Sequence, residues 1–275
     1  MTVATWLPFV FYAASSATYF AHFARRDPRL GRFATVLLAS GVLAHAYVIG
    51  MQTVEAGYAP LVGTTSAISA FVWLLGIAYL YIELTTEERA MGVFVTILMA
   101  GLAILPALNT EVEARPPLLR SPLFTLHVLS ILFAYASFAL AAVLGLTYVL
   151  LFKEIKAKHL GFFYTRLPSL HVLDVMNART VTVGWIFLTC GVIIGGVWAF
   201  QVHASPDPRA QAMSVADPKI LVALVSWAMY SFAFFARRAI GWSGRRAAWL
   251  STIGFVVVLL NFVPVGYFLT RSHNF

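Results

Sequence analysis

Four of the seven histidines lie where they could bind a metal ion or handle a proton. His127 stands at the beginning of a long apolar stretch, His45 lies inside another, His203 follows a third, and His273 is close to the C-terminal residue. A single cysteine, Cys190, excludes a disulfide or a CxxC thiol pair. The sequence contains no nucleophile triad, phosphate-binding glycine loop or Cys/His zinc cluster, which argues against an enzyme that acts on its own.

The composition indicates that a lipid bilayer surrounds these histidines. Hydrophobic residues make up 60% of the chain and charged residues only 11%, whereas about a quarter of the residues in soluble domains are charged. The net charge of +8 could indicate nucleic-acid binding. The basic residues, however, form short clusters between apolar runs, which is the pattern that fixes membrane orientation. We therefore predict a membrane protein with no nucleic-acid partner.

The apolar runs predict an all-α, polytopic membrane helical bundle of about eight transmembrane helices, with residues 1–275 forming a single membrane domain. The runs are 4–24, 32–53, 62–84, 91–108, 123–152, two arms of a hairpin within 184–230, and 247–269. This arrangement places fourteen of the 19 Lys and Arg residues inside and five outside, with both termini outside. We predict a basic inner loop over 153–179 that contains a short interfacial helix in LPSLHVLDVMNAR.

The hairpin is the segment around which the other runs are arranged. Its first arm ends in GGVWA, which contains Trp198, and its second arm opens at Asp217-Pro218-Lys219. Asp217 before a proline is a typical helix N-cap. Gly191 and Gly195 form a GxxxG pattern, which predicts close packing of another helix within the bundle.

Five ordered segments resemble a known family. They are LPSLHVLD, GWIFLTCGVIIGGVWA, DPKILVALVSWAMY, GWSGRRAAWLSTIGF and GYFLTRSHNF. The ordered set is similar to the integral membrane cytochrome c assembly family of the CcsA, CcmC and HemX type, and in general layout it looks most like the HemX and YpjD-like branch. The resemblance covers residues 118–275, and residues 1–117 match only loosely.

The resemblance implies that the protein handles haem at the outer face of the bacterial inner membrane, in cytochrome c biogenesis. Carried over to this sequence, the family's two axial histidines match His127 and His273, while Trp198 and Asp217 match the borders of the loop that lies against haem. The implied cofactor is a non-covalent, b-type haem. The implied partners are a further cytochrome c assembly subunit or apocytochrome c, together with membrane lipids.

The residues themselves leave alternatives open. The family's tryptophan-rich segment before the DPK sequence reads SVADPK here, so a haem-free, HemX-like scaffold or regulator that recruits a partner is the second hypothesis. His127 and His273 could instead be interfacial residues that bond to loop carbonyls. His203 could replace one of them or be a solvated loop residue. His45 could be a second haem ligand, a proton-handling group or a donor to a neighbouring helix carbonyl.

Overall fold

The computed structural model describes residues 2–109, 112, 117–158, 161–203 and 218–260. This part of the chain forms nine α-helices, one 3-10 turn at Pro117–Arg120 and no strand, which confirms the predicted all-α bundle. The helices are α1 Thr2–Arg25, α2 Pro28–Ala56, α3 Thr64–Thr86, α4 Gly92–Leu108, α5 Pro122–Lys156, α6 Phe162–Arg166, α7 Leu170–His203, α8 Pro218–Ala239 and α9 Arg245–Leu260.

In the described part of the chain, five helices are long and apolar enough to cross a membrane, and the chain is therefore a multi-pass membrane protein. These helices are α2, α3, α5, α7 and α8. Helix α4 is apolar but has 17 residues, and the described part of α9 has 16. The structure is compatible with eight crossings, while that number and the side on which the termini lie stay predictions.

The helix starts follow the local sequence. Asp27 caps α2, where its side chain accepts a hydrogen bond from the backbone N–H of Arg29, and Pro28 occupies the first helical position. Ser121 caps α5 in the same way, with Pro122 behind it. Helix α2 ends at Gly57, whose φ of 76° lies in the left-handed region that favours glycine.

The predicted basic loop over 153–179 is too long, because α5 continues to Lys156 and α7 begins at Leu170. The separate interfacial helix predicted within it is wrong. Helix α7 begins at Leu170 and continues without interruption to His203. A polar residue of this segment, Asn177, is bonded inside the bundle. Asn177 donates through Nδ2 to the Ala141 carbonyl oxygen at 2.8 Å and to the Ser251 hydroxyl at 2.9 Å. Because these bonds satisfy the amide, the helix can continue into the membrane.

Helix α5 contacts α3, α7 and α9, and its contact with α7 is extensive. Three glycines of α7 face α5 so closely that a Cβ atom on any of them would lie within 3.0 Å of an α5 side chain. The pairs are Gly184 with Phe138, Gly191 with Ile131, and Gly195 with His127. We call these three pairs the α5–α7 seam. It confirms that the GxxxG pattern serves packing within the bundle.

Basic side chains, among them Arg166 and Arg179, bind backbone carbonyls at the end of the bundle where α1 and α3 finish. We call this the arginine-rich end. Arg166 donates to the carbonyl oxygens of Phe23 and Ala24 at the end of α1, both at 2.8 Å. Arg179 donates to the Thr85 carbonyl oxygen at the end of α3 at 2.7 Å. These contacts bring the last carbonyls of α1 and α3 to the same end as the start of α7, as alternating crossings require.

An acidic residue is buried near this end. Glu83 of α3 is 0% exposed. Its carboxylate accepts a hydrogen bond from the Tyr19 hydroxyl at 2.6 Å and another from the Thr35 hydroxyl. Arg89 lies 3.7 Å from the same carboxylate. The four side chains thus form a paired network across α1, α2 and α3 and the turn before α4, which is how a charged group is retained inside a membrane bundle.

The seam predicts which glycine substitutions destabilise the protein. Gly184→Ala places a methyl group against the Phe138 ring, so we expect the free energy of unfolding to fall by about 1–3 kcal/mol. Unfolding in mixed detergent micelles, followed by circular dichroism, measures this change. Gly196→Ala is the matched control, because no atom lies within 4 Å of its added Cβ. The two variants should differ; equal stabilities would contradict the close approach.

Candidate functional site

His127 lies in the second turn of α5, at the end of the bundle opposite the arginine-rich end. Its Nδ1 is 2.7 Å from the carbonyl oxygen of Gly191 on α7. A carbonyl can only accept, so Nδ1 donates and carries the ring hydrogen. In the neutral imidazole this leaves the lone pair on Nε2, which is the nitrogen that would face a metal.

The position of the His127 ring depends on Gly195, which has no side chain. A Cβ atom on Gly195 would lie within 3.0 Å of Cε1 and Nδ1 of His127. Glycine is thus required at this place for the imidazole to reach the Gly191 carbonyl. The GxxxG pattern found in the sequence therefore supplies both the hydrogen-bond acceptor and the space for the histidine.

Trp198 lies one turn after Gly195 on α7 and also faces α5. It packs on Phe124, one turn before His127 on α5, with ring centroids 5.1 Å apart. From the pair Gly195 and His127 to the pair Trp198 and Phe124, α7 advances by three residues and α5 goes back by three. Trp198 is 6% exposed and belongs to an apolar cluster with Val62, Leu119 and Phe124. Its Nε1 has no hydrogen-bond partner within the described ranges.

His45 lies away from this cluster, between α1, α2 and α3. Its Nδ1 is 3.1 Å from the Tyr12 hydroxyl, and its Nε2 is 2.9 Å from the Ser69 hydroxyl. The side chain is 2% exposed. Both ring nitrogens therefore have hydrogen-bond partners, and these partners are hydroxyl groups rather than the helix carbonyl that the sequence offered as one alternative.

The remaining predicted site residues have different outcomes. His203 is the last residue of α7 and not a loop residue. His273 and Asp217 lie outside the described residues, so their roles stay predictions. Within the described ranges, no group of three or more His, Cys, Asp or Glu side chains could hold a metal ion.

One important residue was missed by the sequence analysis, although it lies in a segment that carried the resemblance. Asp174 of LPSLHVLD binds the two terminal nitrogens of Arg237 at 3.0 and 2.6 Å. It also accepts a hydrogen bond from the backbone N–H of Gly244 at 2.8 Å. Gly244 belongs to GWSGRR and has a φ of 63°. Two segments distant in sequence thus meet through one carboxylate, which joins α7, α8 and the start of α9.

Comparison with known proteins agrees with the resemblance. A family model described as Cytochrome C assembly protein matches residues 5–273, which include the N-terminal helices. The cytochrome c biogenesis protein CcsA of Guillardia theta is 26% identical over 248 residues, covering 83% of this chain and 80% of its own length. That of Synechococcus sp. (strain CC9902) is 23% identical over 295 aligned positions, covering 98% and 91%. Because the family match spans nearly the whole chain, this protein belongs to the cytochrome c assembly protein family.

Proposed function

We propose that this protein acts in cytochrome c biogenesis by holding a non-covalent, b-type haem at the outer face of the bacterial inner membrane, with His127 and His273 as axial ligands. The hydrogen bond from His127 Nδ1 to the Gly191 carbonyl carries the proposal. Histidines that bind metals generally donate their other ring N–H to a carbonyl or carboxylate, which fixes the tautomer and makes the ligating nitrogen more basic. His127 has this arrangement.

The surroundings of His127 suit a porphyrin. Haem iron takes its equatorial ligands from the porphyrin, so imidazoles are needed only at the axial positions. The apolar cluster one turn away from His127 contains Phe124 and Trp198, which would offer apolar contacts to a porphyrin bound there. Held on two tightly packed helices, the imidazole would need little reorganisation when iron binds.

The second ligand rests on the family match. The matched residues run to position 273, which is His273 itself. Asp217 immediately precedes α8, where it borders the segment that would lie against haem. We leave His45 outside the proposed site, because its hydrogen bonds to Tyr12 and Ser69 occupy both ring nitrogens.

The partner proposal follows from the chemistry that this chain lacks. Attachment of haem to a c-type cytochrome needs cysteine thiols of the substrate protein, and the one cysteine of this chain, Cys190, lies within α7. The protein would therefore present haem, and apocytochrome c or a further assembly subunit would complete the reaction. Relatives such as that of Guillardia theta are named as cytochrome c biogenesis proteins.

A haem-free scaffold that recruits a partner is the second candidate. One observation favours it: Trp198 is buried in the cluster with Phe124 and is not displayed on the surface. The sequence SVADPK also supplies no tryptophan beside the start of α8. A protein of this kind would keep the bundle and the family match without binding a porphyrin.

Haem binding is tested by the absorption spectrum of the protein purified in detergent from haem-replete cells. We expect a Soret band with bis-histidine character, and we expect both His127→Ala and His273→Ala to abolish it, because each removes one axial ligand. His171→Ala is the matched control, since His171 is an exposed residue of α7 near the arginine-rich end. Haem-free parent protein would favour the scaffold.

The role of His127 as a ligand can be separated from a role in packing. In His127→Gly, added imidazole should restore the Soret band, because a free imidazole can occupy the vacated space. Restoration at the same imidazole concentration should not occur with His127→Phe, which fills that space. Loss of the band in both variants without rescue would assign His127 to packing alone.

The tautomer of His127 gives a test that needs no haem. Nitrogen-15 NMR of histidine-labelled apoprotein distinguishes a protonated ring nitrogen from an unprotonated one. We expect the hydrogen on Nδ1, because the Gly191 carbonyl can only accept. Gly195→Ala should disturb this signal, since the added methyl group collides with the ring. A hydrogen on Nε2 in the parent protein would contradict the geometry.

A further inference from the structure

A small cleft lies at the arginine-rich end, between α7, α8 and α9. Its floor is apolar and is formed by Val181, Ala233 and Leu250. Trp242, in the turn between α8 and α9, and Arg238, near the end of α8, also line it. An apolar floor beside a tryptophan and an arginine is typical of the depth at which lipid headgroups meet acyl chains.

The cations around this cleft are held in place by aromatic rings. The Arg238 guanidinium lies 3.6 Å from the centroid of the Phe234 ring, and that of Arg246 lies 5.6 Å from the Trp242 ring. Phe234 and Trp242 both line the cleft. Such cation–π contacts restrict the side chains without neutralising their charge.

Neither of these arginines has an acidic partner. Among the described residues, the ion pairs are Arg89 with Glu83 and Arg237 with Asp174. Arg237 also lines the cleft, but it forms an ion pair with Asp174. Arg238 and Arg246 are exposed and keep their positive charges unpaired within that part of the chain.

A polar group that lines the cleft also indicates an anionic ligand. Thr182 of α7 lines the cleft, and its hydroxyl makes no hydrogen bond to any described residue. Most other threonines of the described helices donate to the carbonyl four residues before, as Thr180 and Thr189 do at 2.7 and 2.8 Å. A hydroxyl left available in a cleft that Arg238 also lines suits an oxygen-rich anion.

We propose that the surface around this cleft binds an anionic phospholipid of the surrounding membrane, with its phosphate beside Arg238 and Arg246 and its upper acyl carbons against the apolar side chains at the cleft. The charge of the two arginines is complementary to a phosphate, and guanidinium groups bind phosphates through paired N–H donors. The predicted orientation assigns this lipid to the cytoplasmic leaflet, which is the anionic one. The proposal is independent of the haem site.

Native mass spectrometry of the detergent-solubilised protein tests the proposal with phosphatidylglycerol as the probe. We expect one phosphatidylglycerol to be retained in preference to phosphatidylcholine. The double variant Arg238→Gln/Arg246→Gln should lower the apparent affinity about tenfold, since two charge-assisted contacts are removed. Both side chains are exposed, so the melting temperature should change little.

The matched control is Lys153→Gln/Lys156→Gln, which removes the same charge from exposed positions at the same end. This control should keep the affinity of the parent protein. An equal loss in both double variants would show diffuse attraction to the basic surface and would overturn the proposal. Equal retention of phosphatidylglycerol and phosphatidylcholine by the parent protein would overturn it as well. Competition by glycerol phosphate that is as strong as competition by phosphatidylglycerol would also overturn it.

Discussion

The close approach of α5 and α7 is the constraint on which the arrangement of this protein depends. Three glycines of α7, with steps of seven and four residues between them, face three α5 side chains with the same steps in reverse. In lipid, helices gain little from hydrophobic burial, so packing must come from backbones that approach closely. The seam sets the register of the two helices, and this register brings His127 to the Gly191 carbonyl and Trp198 to Phe124.

Polar side chains join the helices that the seam does not reach. His45 connects α2 to α1 and α3, Glu83 connects α3 to α1 and α2, and Asp174 connects α7 to α8 and the turn before α9. Each would be costly in a bilayer without its partners, because the hydrocarbon supplies no hydrogen bonds. These residues therefore join particular helices to one another. Their presence in apolar segments does not by itself indicate a ligand.

The two ends of the bundle offer different chemistry. At one end, His127 has a fixed tautomer beside an apolar cluster, which supports a role in holding a metal-containing cofactor. At the other end, Arg238 and Arg246 lie over aromatic rings and have no acidic partner among the described residues, which suits the membrane surface. The family to which the chain belongs is consistent with the first role. The second follows from geometry and charge in this chain alone.

The sequence by itself determined the all-α membrane architecture, most helix bounds and the family, because hydropathy, capping residues and motif order are local properties of the chain. It made the loop over 153–179 too long, because the basic residues there indicated an inner loop. Only the tertiary structure showed that Asn177 is bonded to α5 and α9, so that α7 continues through this region. It also decided that Gly195 makes room for His127 and that Asp174 binds Arg237. Such pairings depend on the rotation and register of helices far apart in sequence, which no local pattern specifies.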